Sequence, residues 1–313
     1  MSSPRCTLVI LFNHPFPRNI AKLRAIYGDR FDDILFVMPM LRVDDPAVVT
    51  VYRGSFNFHG HVVDVLDLLK ARGSDLYLIC QDDLLLHPAL TPASFWQTAG
   101  FDTHDGFLPE PESFAQPGRE NWPWYERVVT RATQPMVHLW GSGVEDLVRF
   151  LPPVEEAREK FARFGVSSET AITAPVAPEP PRRRWIGRRP PERWPVTLPY
   201  PLALAFSDFF AVRGDALDRV GHYLGLFAAA DIFVEVSIAT AMILGCENMA
   251  TLKDTPWQVT VDWTPRATLA SRGPASLQSV YDGFGDTLLY THPAKLSAIT
   301  MPGEDGPGEE GGA

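Results

Sequence analysis

The chain is poor in cysteine and lacks a long hydrophobic run. Three cysteines, Cys6, Cys80 and Cys246, occur in 313 residues. A small, odd and widely spaced set predicts reduced thiols rather than a disulfide framework. The apolar run before Asn13 is too short for a signal peptide or a membrane span. These features predict a cytoplasmic protein.

The chain also lacks an excess of positive charge. Its net charge is −10 and its pI is near 5.3, so a phosphate backbone would be repelled and nucleic acid is excluded as a general partner. Hydrophobic residues make up 45% of the chain, which is enough for a substantial core. No internal repeat is present.

Short apolar runs alternate with amphipathic segments through the first 90 residues. "CTLVILF" (6–12) and "DDILFVMP" (32–39) are typical of strands buried on both faces. The intervening helix should end at Gly28, and a second helix is expected over 61–73. This alternation predicts an α/β fold, with a mainly parallel central sheet flanked by helices, over a single domain at 4–300.

Two adjacent carboxylates, Asp82 and Asp83, end the buried run "DLYLIC". Ligands of mainly parallel sheets bind beyond the carboxyl ends of the strands, where these residues fall. Carboxylate oxygens there suit Mg²⁺ or Mn²⁺, which would in turn bind phosphate oxygens. A turn in which either aspartate caps backbone amides is the structural alternative.

The segment "ARGSDLYLICQDD" (71–83) resembles the donor-binding half of GT-A-fold glycosyltransferases, in which a buried strand ends in a DxD-type motif. The resemblance implies a GT-A-like (Rossmann-like) domain that binds a nucleotide-sugar donor. It also implies that Asp83, with Asp82, holds Mn²⁺ or Mg²⁺ and that Gln81 lies beside the donor.

Two later segments are similar to the same family. "FAAADIFVEV" (227–236) resembles the family's acidic motif at the start of a helix, which implies Asp231 and Glu235 as catalytic residues one helical turn apart. Burial would raise the pKa of Glu235, as suits a general base. "LLYTHPAKLS" (288–297) implies His292 as a metal ligand and Lys295 as a phosphate contact. The structural alternatives are a helix N-cap for Asp231, an arginine ion pair for Glu235 and a surface position for His292.

The resemblance implies further donor and substrate contacts. "NHPFPRN" (13–19) contributes Asn13 and Arg18, and "YRGSFNFHGH" (52–61) contributes Arg53 near the diphosphate. Ser207 and Asp208 interrupt an apolar strand in "AFSDFFAVRGDAL" (205–217). Asp208 would accept hydrogen bonds from sugar hydroxyls, or else form a structural contact with an arginine.

The predicted function is metal-assisted transfer of a sugar from a nucleotide diphosphate donor to a glycan, lipid-linked or small-molecule acceptor. One alternative is a metal-dependent hydrolase that uses His59, His61, Asp82 and Asp83, since His-x-His pairs occur in such enzymes. The other is a catalytically silent binding protein on the same scaffold.

Residues 167–198 are rich in proline and arginine and predict an extended, mobile excursion within the domain. Its stretch 180–195 carries six arginines together with Trp185 and Trp194 and predicts peripheral contact with anionic lipid headgroups. A solvated loop is the alternative. The acidic tail 301–313 is predicted to be disordered.

Overall fold

The computed structural model describes residues 3–133, 148–175, 193–261 and 275–303. The strands of this part are β1 (Cys6–Leu11), β2 (Asp33–Pro39), β3 (Val48–Val51), β4 (Leu76–Gln81), β5 (Leu85–Leu86), β6 (Gly106–Phe107), β7 (Glu112–Ser113), β8 (Ala171–Pro175), β9 (Arg193–Thr197), β10 (Ala203–Leu204), β11 (Phe209–Arg213), β12 (Met249–Ala250), β13 (Gln258–Val261), β14 (Ala275–Ser276), β15 (Leu288–His292) and β16 (Ile299–Thr300). Its α-helices are α1 (Arg18–Tyr27), α2 (Phe58–Asp64), α3 (Leu66–Arg72), α4 (Pro92–Thr98), α5 (Tyr125–Thr133), α6 (Val154–Arg163), α7 (Leu217–Ala229), α8 (Val234–Gly245) and α9 (Leu277–Tyr281).

The central sheet has seven strands in the order β12-β6-β11-β4-β1-β2-β3. Strand β11 runs antiparallel to both of its neighbours, and every other adjacent pair is parallel. All six residues of β1 are buried, because helices cover both faces of the sheet. The predicted mainly parallel α/β sheet is confirmed.

The alternating side chains of the sheet build two separate cores. Val9 and Leu11 of β1 belong to a core that also contains residues of α2, α3 and α5 to α8. Leu8 and Ile10 point to the other face, where α1, α4 and α9 pack. The period-two geometry of a strand produces this division.

A smaller sheet, β13-β15-β5, brings the end of the chain to the site. Strand β5 follows the Asp82–Asp83 turn, and β15 pairs antiparallel with it, with Thr291 opposite Leu85. This pairing places His292, the last residue of β15, beside the carboxyl end of β4.

Two predicted helices are each interrupted. The segment expected as one helix over 61–73 forms α2 and α3, which meet at Val65 (φ −109°, ψ 7°). The apolar segment from Phe227 to Gly245 likewise has the sequence pattern of one helix closed by a glycine, but its residues are divided between α7 and α8. Asp231 lies between these two with φ 52°, a left-handed conformation that ends a right-handed helix. Asp231 therefore does not open α8, whose N-cap is Phe233.

Within the Pro/Arg-rich segment 167–198, β8 pairs antiparallel with β9. Residues 176–192 and 304–313 lie outside the described residues. Most of the predicted lipid-contact stretch 180–195 and most of the tail 301–313 therefore lie outside them too. In the part of the chain that is described, no helix has the length and apolarity needed to cross a membrane.

Candidate functional site

Five ionisable side chains converge beyond the carboxyl end of β4: Asp82, Asp83, Asp208, Glu235 and His292. The two adjacent aspartates form the turn after β4. Asp208 directly precedes β11, whose first residue lies opposite the penultimate residue of β4. Glu235 is the second residue of α8. Separate elements of the sequence thus supply one charged cluster.

His292 lies between two carboxylates at the centre of this cluster. Its Nε2 is 3.2 Å from Asp83 Oδ1, and its Nδ1 is 3.2 Å from Asp208 Oδ2. Only 2% of His292 is exposed. Burial alone would lower the pKa of the imidazole, but the charges and contacts of Asp208 and Asp83 raise it to about 10. The three residues form a carboxylate–imidazolium–carboxylate array in which His292 and Asp208 are buried and Asp83 is partly exposed.

Two amide side chains hold these carboxylates in place. Gln81 donates from Nε2 to Asp208 Oδ1 at 2.9 Å. Asn13 donates from Nδ2 to Asp83 Oδ1 at 3.0 Å and to Gln81 Oε1 at 3.2 Å. The hydrogen bonds connect the ends of β1, β4 and β11, so the position of each carboxylate depends on its neighbours.

Asp82 anchors the loop that joins β1 to α1. Its two carboxylate oxygens accept hydrogen bonds from the Asn13 backbone N–H at 2.9 Å and from Asn19 Nδ2 at 3.2 Å. Burial raises the pKa of Asp82 to about 7, and the charge of Asp83 adds to this effect, although the bonds from the two asparagines oppose it.

Glu235 presents a largely buried carboxyl group to the same cluster. Burial and the charge of Asp208 raise its pKa to about 8, while His292 and Arg119 act in the opposite direction. Among the described residues, Glu235 forms no ion pair within 4 Å. Its backbone oxygen accepts a 3.4 Å hydrogen bond from Ser207 Oγ. A carboxyl with this pKa can exchange a proton near neutral pH.

A cavity of about 800 Å³ opens on the Asp82–Asp83 side of the cluster. Its other walls are residues 13–19, which form the β1–α1 loop and the start of α1, and residues 293–297 after β15. Arg18 and Lys295 line it with exposed side chains. The lining thus places two cations beside two aspartates, and its volume falls in the range of small-ligand sites.

Two of the predicted residues are occupied by other contacts. Asp231 forms ion pairs with Arg127 at 3.1 Å and Arg131 at 2.9 Å. Arg53 forms a bidentate pair with Asp64 at 2.8 and 3.0 Å, and both line a separate cavity of about 450 Å³. The structure therefore places Arg53 outside the lining of the cavity beside Asp82 and Asp83.

The predicted metal ligands do not form a three-ligand centre. Among the described residues, no group of three or more His, Cys, Asp or Glu side chains is arranged to hold a metal ion. Both ring nitrogens of His292 face carboxylates, so neither is directed at a cation, and the arrangement does not fit the metal. The Mn²⁺ or Mg²⁺ ion stays a prediction.

His59 and His61 belong to α2 and are fully buried. Burial lowers the pKa of His59 to about 3, because the charged imidazole loses its solvation. They do not join Asp82 and Asp83 in a group that could hold a metal ion within the described structure. The hydrolase alternative thus gains no support from their placement.

Two residues of the site were not singled out from the sequence. Asn19 binds Asp82 from the first turn of α1, and Arg119 lies near enough to Glu235 to lower its pKa. Asn19 belongs to the segment "NHPFPRN", for which the family resemblance implied donor contacts by Asn13 and Arg18. Nothing in the residues around Arg119 indicates its neighbour, which is 116 positions away in the sequence.

Comparisons with known proteins leave the family open. No protein-family model matches the chain, and no curated protein matches it. Among solved structures, A197 from STIV matches with a TM-score of 0.27 and 6% identity, covering 69% of this chain and 68% of its own. A CMP:2-keto-3-deoxy-manno-octonic acid synthetase complexed with CTP matches with a TM-score of 0.30 and 12% identity, covering 79% and 88%. At these TM-scores neither likeness carries an argument about this chain.

Proposed function

We propose that the protein is a glycosyltransferase that uses a nucleotide-sugar donor. The observation that carries this proposal is the convergence of the charged cluster and the 800 Å³ cavity at the carboxyl end of β4. Ligands of open α/β sheets bind in the crevice at this edge. The cavity offers Arg18 and Lys295 as cations for a diphosphate, and Asn13 and Asp83 as polar contacts for the nucleoside or sugar.

In the proposed reaction the acceptor approaches from the side of Asp208 and Glu235. Its hydroxyl oxygen attacks the anomeric carbon while the bond from that carbon to the diphosphate oxygen breaks. Glu235 takes the hydroxyl proton, which its pKa of about 8 permits near neutral pH. The diphosphate leaves with the bonding electron pair, and Arg18 and Lys295 stabilise its charge. A single displacement of this kind inverts the anomeric centre.

Calorimetric titration with UDP, GDP and CDP tests donor binding. Replacement of Arg18 or Lys295 by alanine should raise the dissociation constant roughly tenfold, since each change removes one charge-assisted contact. Arg5→Ala is the matched control, because Arg5 is an exposed arginine at the opposite end of β1. If none of the nucleotides binds to the folded protein, or if the three variants bind alike, the donor assignment is wrong.

The same titration with and without Mn²⁺ tests the metal prediction. The array around His292 predicts that nucleotide binding persists in a chelator. Affinity that requires Mn²⁺ and disappears in Asp83→Ala would instead show that His292 moves to admit an ion. Incubation with a donor that binds then separates an enzyme, which releases the nucleotide diphosphate, from a silent binding protein, which does not.

A further inference from the structure

Four aromatic side chains cluster beside the start of α8. Trp124 stacks on Phe233 with centroids 5.0 Å apart, and Trp122 meets the edge of Phe233 at 5.3 Å. Phe56 lies 4.7 Å from Trp124 and 5.7 Å from Phe233. Phe233 is 4% exposed whereas Phe56 is 45% exposed. Phe233 is therefore the buried base of the cluster, and the cluster extends from it to the protein surface at Phe56.

Charged groups border these rings. The Arg127 guanidinium lies 5.6 Å from the centroid of the Phe56 ring. Arg127 and Arg131 both pair with Asp231, and each of the three side chains keeps about a third of its surface exposed (36%, 35% and 36%). The surface thus combines aromatic carbon with hydrogen-bond donors and acceptors that still reach solvent.

The aromatic cluster adjoins the base proposed for the reaction. Phe233 is the N-cap of α8, and Glu235 is its second residue. Trp122 donates its backbone N–H to the Arg119 carbonyl at 2.9 Å, and Arg119 lies close enough to Glu235 to influence its charge. None of the four rings is among the described residues that line the donor cavity. The cluster therefore adjoins the start of the helix that carries Glu235 and lies outside the donor cavity.

We infer that Phe56, Trp122, Trp124 and Phe233 form the acceptor subsite and that it binds a pyranoside. This inference rests on the proposed function, since an acceptor whose hydroxyl reaches Glu235 must place its remaining atoms on the adjoining surface. A pyranose has one face of C–H groups, which packs on aromatic rings, and a rim of hydroxyls, which bonds to groups such as Asp231 and Arg127. A purely apolar acceptor would remove those charges from water without a hydrogen bond in return.

The test uses the full chain and a panel of methyl α- and β-pyranosides (gluco, galacto, manno and N-acetylglucosamine). Binding is followed by tryptophan fluorescence and by saturation-transfer NMR. At least one glycoside should bind, and Phe56→Ala should weaken it at least tenfold. Phe150→Ala is the matched control, because Phe150 is also exposed (52%) with an arginine 4.6 Å from its ring centroid, yet it lies outside the cluster. Trp124→Phe, which keeps a ring, should retain binding detected by NMR and show a smaller fluorescence change, because Trp122 is then the remaining tryptophan of the cluster.

Nucleotide titration of the same variants separates this inference from the proposed function. Nucleotide binding that Phe56→Ala leaves unchanged, together with weakened glycoside binding, supports both. Glycoside binding that depends on Phe56, without binding of any nucleotide, keeps the sugar subsite and overturns the transferase. Intact nucleotide binding with no glycoside bound, or with equal affinity in Phe56→Ala and Phe150→Ala, overturns the subsite.

Discussion

His292 Nε2 lies 3.2 Å from Asp83 Oδ1, although 209 positions separate the two residues in the sequence. The pairing of β15 with β5 brings them together, and Asp208 completes the array from the other side of the ring. The buried charges of His292 and Asp208 and the partly buried charge of Asp83 are stable here because each carboxylate has a positive neighbour and a hydrogen-bond donor. The physical chemistry of the site depends on this array.

Removal of the imidazole should destabilise the protein strongly. His292→Phe leaves Asp83 and Asp208 without their cation, and the loss of one partner of a buried pair costs about 3–5 kcal/mol. Urea denaturation at pH 7 measures the difference. A loss below about 1 kcal/mol would mean that the two carboxylates already find other partners.

Stability should also decrease as the pH rises. The folded pKa values of Glu235 (about 8) and His292 (about 10) lie above their usual values of 4.5 and 6.5. Each group therefore contributes most to the free energy of unfolding below the pKa that it has in the unfolded chain. This contribution is lost as the pH rises through the pKa that it has in the folded protein. Thermal unfolding across pH 4 to 10 follows this loss. Glu235→Gln should match the wild type near pH 4 and unfold at a higher temperature at pH 9; equal values at pH 9 would contradict the raised pKa.

Glu235→Gln should also abolish transfer while donor binding persists. Loss of a general base lowers the rate of transfer by roughly 10²–10⁴-fold. Donor binding should persist because Glu235 is not among the described residues that line the donor cavity. In the wild type, kcat/KM should rise tenfold per pH unit and level off above about pH 8, because only the ionised carboxylate accepts a proton. A flat profile from pH 6 to 9 would exclude Glu235 as the base.

Asp82→Ala should loosen the β1–α1 loop. It removes the acceptor of the Asn13 backbone N–H and of Asn19 Nδ2, which should cost about 1–3 kcal/mol and weaken nucleotide binding several-fold. Asp75→Ala serves as the control, since Asp75 also accepts a backbone N–H, from Arg5 at 2.9 Å, at the other end of the sheet. Nucleotide affinity that falls equally in both variants would refute a local role for Asp82.

Gly245→Ala should destabilise the packing of α7 against α8. A Cβ at Gly245 would lie 2.8 Å from Val220 Cα and 2.9 Å from its N, backbone atoms that cannot move aside cheaply, so a loss of about 1–3 kcal/mol is expected. Gly225→Ala is the control on α7, because its Cβ would meet nothing closer than 3.8 Å. That change should be neutral or stabilising, as alanine favours a helix. Urea denaturation midpoints compare the two.

Much of the fold could be predicted from local patterns. The apolar run 6–12 contains β1, and the amphipathic segment after it contains α1, which ends before Gly28. The breaks at Val65 and Asp231 were missed because both segments keep a helical pattern of apolar residues across the break. Periodicity reports which face is buried, and it does not report a local change of backbone dihedral angles.

The sequence by itself determined the class of fold and the place of one acidic pair, because hydrophobic periodicity and the end of a buried strand are local properties. Only the tertiary structure decided which residues meet that pair. Asp208 lies beside the end of β4 because β11 pairs antiparallel with β4, and His292 lies there because β15 pairs with β5. Glu235 reaches the same cluster from the start of α8. These contacts join residues far apart in the chain, and the pKa values of about 7, 8 and 10 at Asp82, Glu235 and His292 follow from burial and mutual charge. These contacts and these shifted pKa values therefore arise only in the folded chain.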